Sequence, residues 1–216
     1  MVVTGLFAEI FFRQKLFVTN DAVAAAGNIL ANGFLYRAGI TADILMSLFY
    51  LFTALALYRL LAPVNKNLAA LMVLLAAAGS ILLLVCTLFE FAPLVILSGN
   101  GALSAFNSSQ LESLAMLSYQ TYTHGYVIGQ VFFALWVLPL GILIHRSSFI
   151  PRVFGVLFIA EAILSLSAVF VHFLIPNESV ETVLMAPGIV AEFGFMFWLL
   201  IRGINESKLP ELKTAV

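Results

Sequence analysis

The sequence predicts an all-α, polytopic transmembrane helix bundle, and three observations predict it. Hydrophobic residues make up 62% of the 216-residue chain and charged residues 10%, against roughly 45–50% and about 25% in soluble domains. Mean hydropathy is +1.09 and there are 20 Phe, more apolar surface than one core of this size can hide, so lipid has to cover the remainder. The apolar residues also gather in blocks of the length that crosses about 30 Å of hydrocarbon at 1.5 Å per residue. Soluble, disordered and fibrous classes are excluded, and the lipid bilayer is the first partner. Ten Lys+Arg against eleven Asp+Glu leave a formal charge of -1, with no basic stripe to neutralise phosphates, so nucleic acid is not a partner. The lone cysteine, Cys86, excludes a disulfide framework and a multi-cysteine zinc site.

Five segments are long enough to span: Ala38 to Ala62, Leu68 to Ala92 with an apolar extension to Leu97, Gly125 to Ile144, Val153 to Ile175 and Val183 to Ile201. A sixth, Met1 to Phe12, reaches only about 18 Å. It is not a signal peptide, because Arg13 and Lys15 follow the apolar run and Glu9 interrupts it. It reads as the short or truncated tail of a first span, completed either by residues upstream or by Leu16 to Val18. Asn20 and Asp21 are good N-caps for the alanine-rich run Ala22 to Leu30, a short interfacial helix. Ser109 and Glu112 have capping-box spacing, and the helix they start can run straight into the span at Gly125. Gly125 and Gly129, four apart, either admit a close helix neighbour or are two glycines among 14. Residues 1–205 form one transmembrane domain and 206–216 a polar tail.

Orientation follows from the cations. Arg59, Lys66, Arg146, Arg152, Arg202, Lys208 and Lys213 fall in every second connection, which makes that face and the C-terminus cytoplasmic. The alternate connections carry Glu112, Glu178 and Glu181 without Lys or Arg and face outward. Arg13, Lys15 and Arg37 disagree, falling in a connection this scheme places outside. The turns around Arg59 to Lys66 and His145 to Arg152 resemble each other, either as a parallel repeat of two hairpins or because inner-face turns favour proline and cations.

Acidic residues at membrane depth need a reason, since each costs on the order of 3 kcal/mol at a helix centre. Glu161 and Glu192 lie about 12 and 14 Å into their spans by the helix rise. No Lys or Arg occurs between Val153 and Ile201. An unpaired carboxyl there either carries a proton or is wetted by a cavity. Asp43 lies about 8 Å deep with Ser47 and Tyr50 on its face; Gln130 is equally deep, Glu90 and His172 are near the rim and His124 is at the entrance. Glu161, Ser165, Ala168 and His172 form one helical stripe. These groups either converge as an outward-opening funnel or make separate helix-to-helix hydrogen bonds. Asp43, Glu90 and Glu9 have a simpler account as side chains snorkelling to the interface. Trp136, Trp198, Tyr119, Tyr122 and Tyr126 have one as interfacial or core aromatics. The three histidines lie at different depths, so no metal site is expected, and no cofactor fingerprint or catalytic elbow is present.

GLFAEIFFR (Gly5 to Arg13), DAVAAAGNILAN (Asp21 to Asn32), LYRAGITADIL (Leu35 to Leu45), ALYRLLAPVNKNLAALMV (Ala56 to Val73), GYVIGQVFFALWVLPLGILIHRSSFIPRVFGVL (Gly125 to Leu157) and AEFGFMFWLLIRG (Ala191 to Gly203) together resemble the bacterial membrane family catalogued as domain of unknown function 4386. Arg146, Ser147, Pro151 and Gly155 are the sharpest cluster. The resemblance implies a six-span protein of a bacterial inner membrane, and no established reaction, ligand or partner. It also implies Gly and His where this chain has Ala134 and Trp136, so a shared role for an imidazole there does not carry over. Glu9, Arg37, Asp43 and Glu192 fall in family-like blocks and Glu161 does not.

Three readings follow. The first is a bundle that binds or moves a small solute, ion or proton through an outward-facing polar cavity. Glu192 is its ionisable centre, with Asp43, Glu161, Gln130, His172 and His124 as further contacts. The second is a non-catalytic membrane interaction or stress-linked protein whose acids only fix packing, and the third an intramembrane lipid-acting enzyme. Association with further copies of the chain is compatible with each.

Overall fold

The computed structural model describes Arg13, Leu16 and residues 21–204. Met1 to Phe12, Glu9 and Asn20, with the sequence reading of each, lie outside the described residues. The remainder is helical: α1 Ala22–Ala31, α2 Gly33–Leu61, α3 Lys66–Leu97, a 3-10 turn Gly101–Ala105, α4 Ser108–Arg146, α5 Arg152–Leu174 and α6 Glu178–Ile201. The five long helices, α2 to α6, are each long and apolar enough to cross a membrane, and α1 is a shorter apolar helix.

The helix ends follow local chemistry. Asp21 caps α1 by accepting the Ala24 N–H at 2.8 Å, as its position before an alanine-rich run predicts. The capping box of α4 differs from the expected Ser109–Glu112 pair. Asn107 and Gln110 each accept the other's backbone N–H at 3.0 Å, because the helix begins at Ser108 and Ser109 already lies inside its first turn, where its carbonyl accepts from Ser113. Running 39 residues to Arg146, α4 is roughly 58 Å long by the helix rise, and it enters the span predicted at Gly125 without a break. Asn177 caps α6 through the Val180 N–H at 3.1 Å. Gly99, at φ 63° just past α3, occupies the left-handed region that closes a helix and that glycine enters without steric cost.

Two compact units divide the described chain, one drawn from Met1–Tyr50 with Ser80–Val127, the other from Leu51–Gly79 with Ile128–Val216. In the first, Leu16, Ile29, Tyr36 and Ile40 form a buried cluster against which Leu35, Leu94 and Leu97 pack. Gly125 sits so close to Cys86 that a Cβ there would lie 2.7 Å from its sulfur, so this glycine does admit a close neighbour. Pro93 lies inside α3 and has no N–H for the Phe89 carbonyl one turn back. The Ser118 hydroxyl of α4 donates to that carbonyl at 2.9 Å, and the Tyr36 hydroxyl of α2 donates to the adjacent Glu90 carbonyl. Hydroxyls from neighbouring helices thus satisfy the backbone opened by the proline, which a lipid environment requires.

In the second unit, α5 packs along α6. Phe154 and Phe158 of α5 meet Phe195 of α6 at ring distances of 5.4 and 5.3 Å, the second edge-on, and Trp198 stacks on Phe195. Gly141 and Gly155 bring α4 and α5 into backbone contact. A Cβ on Gly155 would lie 2.6 Å from the His145 nitrogen and 2.8 Å from the Gly141 carbonyl. Ser147 closes α4 by donating its hydroxyl to the Ile144 carbonyl at 2.8 Å, and Pro151 precedes the first residue of α5. The cluster Ser147, Pro151 and Gly155 is therefore one tight α4–α5 corner.

Candidate functional site

The first unit holds a buried charge cluster. Asp43, in the first half of α2, is 3% exposed, and Ser47 and Tyr50 on the same face are 1% exposed, so that face points inward as the helical spacing predicts. The Arg13 guanidinium donates one N–H to Asp43 Oδ2 at 2.6 Å. It donates another to the Tyr122 hydroxyl of α4, and its carbon lies 5.5 Å from the Tyr122 ring centre and 5.9 Å from that of Tyr126. Glu90 of α3 completes the group, with Oε1 3.6 Å from the guanidinium nitrogen that meets Asp43.

Glu90 corrects the expectation of a side chain at the rim. It is fully buried, because Arg13 and the Tyr36 hydroxyl, bonded to its backbone carbonyl, cover this turn of α3. Asp43 is likewise engaged in an ion pair rather than snorkelling to the interface. Arg13 also explains its own departure from the charge rule, since a cation committed to a buried pair is not a loop charge. Sequence reasoning did not bring Arg13, Glu90, Tyr122 and Tyr126 together. The three-and-four spacing of Tyr119, Tyr122 and Tyr126 on α4 was the available signal, a helix face with aromatic rings to cover a cation.

The second unit holds the two deep acids. Glu161 of α5 is 7% exposed. Its carboxyl rests on α6 at Gly188, where an added Cβ would lie 3.0 Å from the carboxyl carbon. Gly188 directly follows Pro187 inside α6, at the point where one backbone N–H is missing from the ladder. Glu192 is one helical turn beyond Gly188, half-buried, and close enough to interact electrostatically with Glu161. Oε2 of Glu161 is buried and accepts no hydrogen bond. The stripe Glu161, Ser165, Ala168 and His172 is buried or half-buried throughout, while Ile163 and Phe170 are exposed. His172 ends that stripe 2.9 Å from Glu181 across the α5–α6 corner. Gln130 is half-buried in this unit, and His124, in the first, is exposed. Among the described residues no three His, Cys, Asp or Glu side chains are grouped to hold a metal ion. A shallow groove of about 300 Å³ at the start of α4, lined by Phe106, Ser109, Gln110, Ser113 and Leu114, contains none of the candidate groups.

Comparison with known proteins adds one match. A family model described as "Domain of unknown function (DUF4386)" matches residues 1–203. No curated protein and no solved structure matches the chain.

Proposed function

Because the chain belongs to the family described only as a domain of unknown function (DUF4386), we propose its activity from its own side chains: this multi-pass membrane protein binds or moves a small solute, ion or proton through an outward-facing polar cavity. One observation carries the reading. Two carboxyls, Glu161 and Glu192, face each other's field inside apolar helices, and the buried Oε2 of Glu161 has no hydrogen-bond partner among the described residues. A carboxyl desolvated in that way must take a proton or a polar ligand to be neutral or satisfied. Glu192 is the exchanging centre and Glu161 its partner, and Gln130 and His172 of the same unit supply further polar contacts. In the orientation set by the cations, the C-terminus is cytoplasmic and the protein resides in a bacterial inner membrane.

The test is reconstitution of the full chain in liposomes enclosing a pH-sensitive dye, with an imposed pH gradient as the probe. Wild-type protein is expected to dissipate the gradient faster than empty liposomes, and Glu192→Gln to abolish the difference. Equal rates for wild type and Glu192→Gln overturn the role of Glu192, and equal rates for wild type and empty liposomes overturn proton movement. A second reading, in which the acids only fix helix packing in a non-catalytic interaction protein, is favoured by the seat of Glu161 on Gly188. It requires Glu192→Gln to lower thermal stability instead.

A further inference from the structure

The Arg13 guanidinium meets one of the two carboxyls of its cluster at hydrogen-bond distance and stands farther from the other. Asp43 Oδ2 stands 2.6 Å from Nη2 and Glu90 Oε1 stands 3.6 Å from the same nitrogen. Glu90 is 0% exposed, and neither of its carboxyl oxygens accepts a hydrogen bond of regular geometry. The other groups facing it are Asp43 and Tyr122 as close polar neighbours, with Tyr36 nearby. Tyr126 lies beyond the guanidinium and Tyr119 beside Tyr36. Arg13 is the only described cation in the set. Tyr36 has its hydroxyl committed to the Glu90 backbone carbonyl, so it supplies no donor to the carboxyl.

A full negative charge on Glu90 would need several donors in a fully buried place, and among the described residues only the Tyr122 hydroxyl and the guanidinium at 3.6 Å stand near it. A neutral acid there needs only one acceptor for its own O–H, and Asp43 is beside it. We propose that Glu90 is a proton-binding group, held as a neutral carboxylic acid next to the Arg13–Asp43 ion pair, and that proton and guanidinium exchange carboxyl partners. In one state Glu90 holds the proton and Asp43 the guanidinium. In the other, the O–H bond of Glu90 has broken, the proton is bonded to an Asp43 oxygen, and Arg13 has moved about one ångström, the difference between its two nitrogen-to-oxygen distances, to pair with the new Glu90 carboxylate. The exchange moves a proton from α3 to α2 without a net change of charge and without a co-reactant. It involves none of the residues on α5 and α6, so it stands or falls independently of Glu192.

The experiment compares the purified full chain with Glu90→Gln and Asp43→Asn, by thermal unfolding and by infrared absorption in the carbonyl region of protonated carboxylic acids. An amide is isosteric with a neutral acid, so Glu90→Gln is expected to unfold within about 2 °C of wild type, where 1 kcal/mol corresponds to roughly 2–4 °C for a chain of this size. Asp43→Asn removes the carboxylate that meets Arg13 at 2.6 Å and is expected to unfold several degrees lower. A protonated-acid band present in wild type and in Glu192→Gln, and missing in Glu90→Gln, assigns the proton. Destabilisation of Glu90→Gln equal to that of Asp43→Asn, failure of Glu90→Gln to fold, or persistence of every acid band in it overturns the proposal. So does a rise in wild-type unfolding temperature with sodium or potassium chloride that Glu90→Gln lacks, since the group would then hold a metal cation.

Discussion

Gly155 is where a single methyl group tests the packing of the α4–α5 corner. A Cβ added there would stand 2.6 Å from the His145 backbone nitrogen and 2.8 Å from both the Gly141 carbonyl oxygen and the His145 Cα. All three are backbone atoms of α4, so no side chain can turn aside, and carbon contacts settle near 3.5–4.0 Å. The two helices must therefore separate by about 1 Å along their line of contact. Overpacking a formed interior costs roughly 1–3 kcal/mol, while replacing glycine by alanine inside a helix returns at most about 1 kcal/mol. Gly155→Ala is expected to lose about 1–2 kcal/mol net. Gly27→Ala in α1 is the control. Nothing lies within 4 Å of its added Cβ, so only the helix propensity remains and the variant gains up to about 1 kcal/mol. Chemical or thermal unfolding of both variants in one detergent measures the pair. If Gly155→Ala is as stable as wild type, the close crossing of α4 and α5 is wrong.

Two further outcomes follow from unit-one contacts. Arg13→Ala and Asp43→Ala each strand a buried charge of the 2.6 Å pair and are expected to cost about 3 kcal/mol; the double variant loses clearly less than the sum, which a double-mutant cycle by thermal unfolding measures. Ser118→Ala removes the donor to the Phe89 carbonyl and is expected to cost about 0.5–1 kcal/mol. In a Pro93→Ala background, where the backbone N–H is restored, that cost vanishes.

The spans were legible because lipid acts on composition over 20 residues at a time, and no partner helix is needed to see it. The expected Val153 to Ile175 and the observed Arg152–Leu174 differ by one residue at each end. The start of α4 was less legible. Its first turns are polar, with Ser108, Ser109, Gln110 and Glu112, so hydropathy rises only near Gly125 although the helix begins 17 residues earlier. The inward faces of Asp43 and Glu161 were readable from spacing on a single helix. Arg13 was not, because its partner is 30 residues away and the loop-charge rule counts a cation without asking what it meets. Glu90 was misread for a related reason. Seven residues from the end of α3, it lies near the rim by length alone, and the packing of Arg13 and Tyr36 against it makes that place interior.

The remaining question is whether Glu192 is used or merely packed, and α6 itself supplies the discriminating variant. This is the least buried of the five long helices. Ile189, Val190, Phe197, Leu200 and Ile201 are exposed on it, while Gly188, Ala191 and Phe195 are buried. Glu192 follows Gly188 by four residues and so shares the face turned to α5. A helix with this much apolar surface gains nothing in cohesion from a carboxyl that has no cation among the described residues. Replacing a buried ionisable group by an apolar one of similar volume is often neutral or stabilising by about 1–4 kcal/mol. Glu192→Met is therefore expected to unfold at or above the wild-type temperature while abolishing proton movement in liposomes. A loss of more than about 2 kcal/mol in Glu192→Met, a size typical of a broken packing contact, would instead make the carboxyl part of the scaffold.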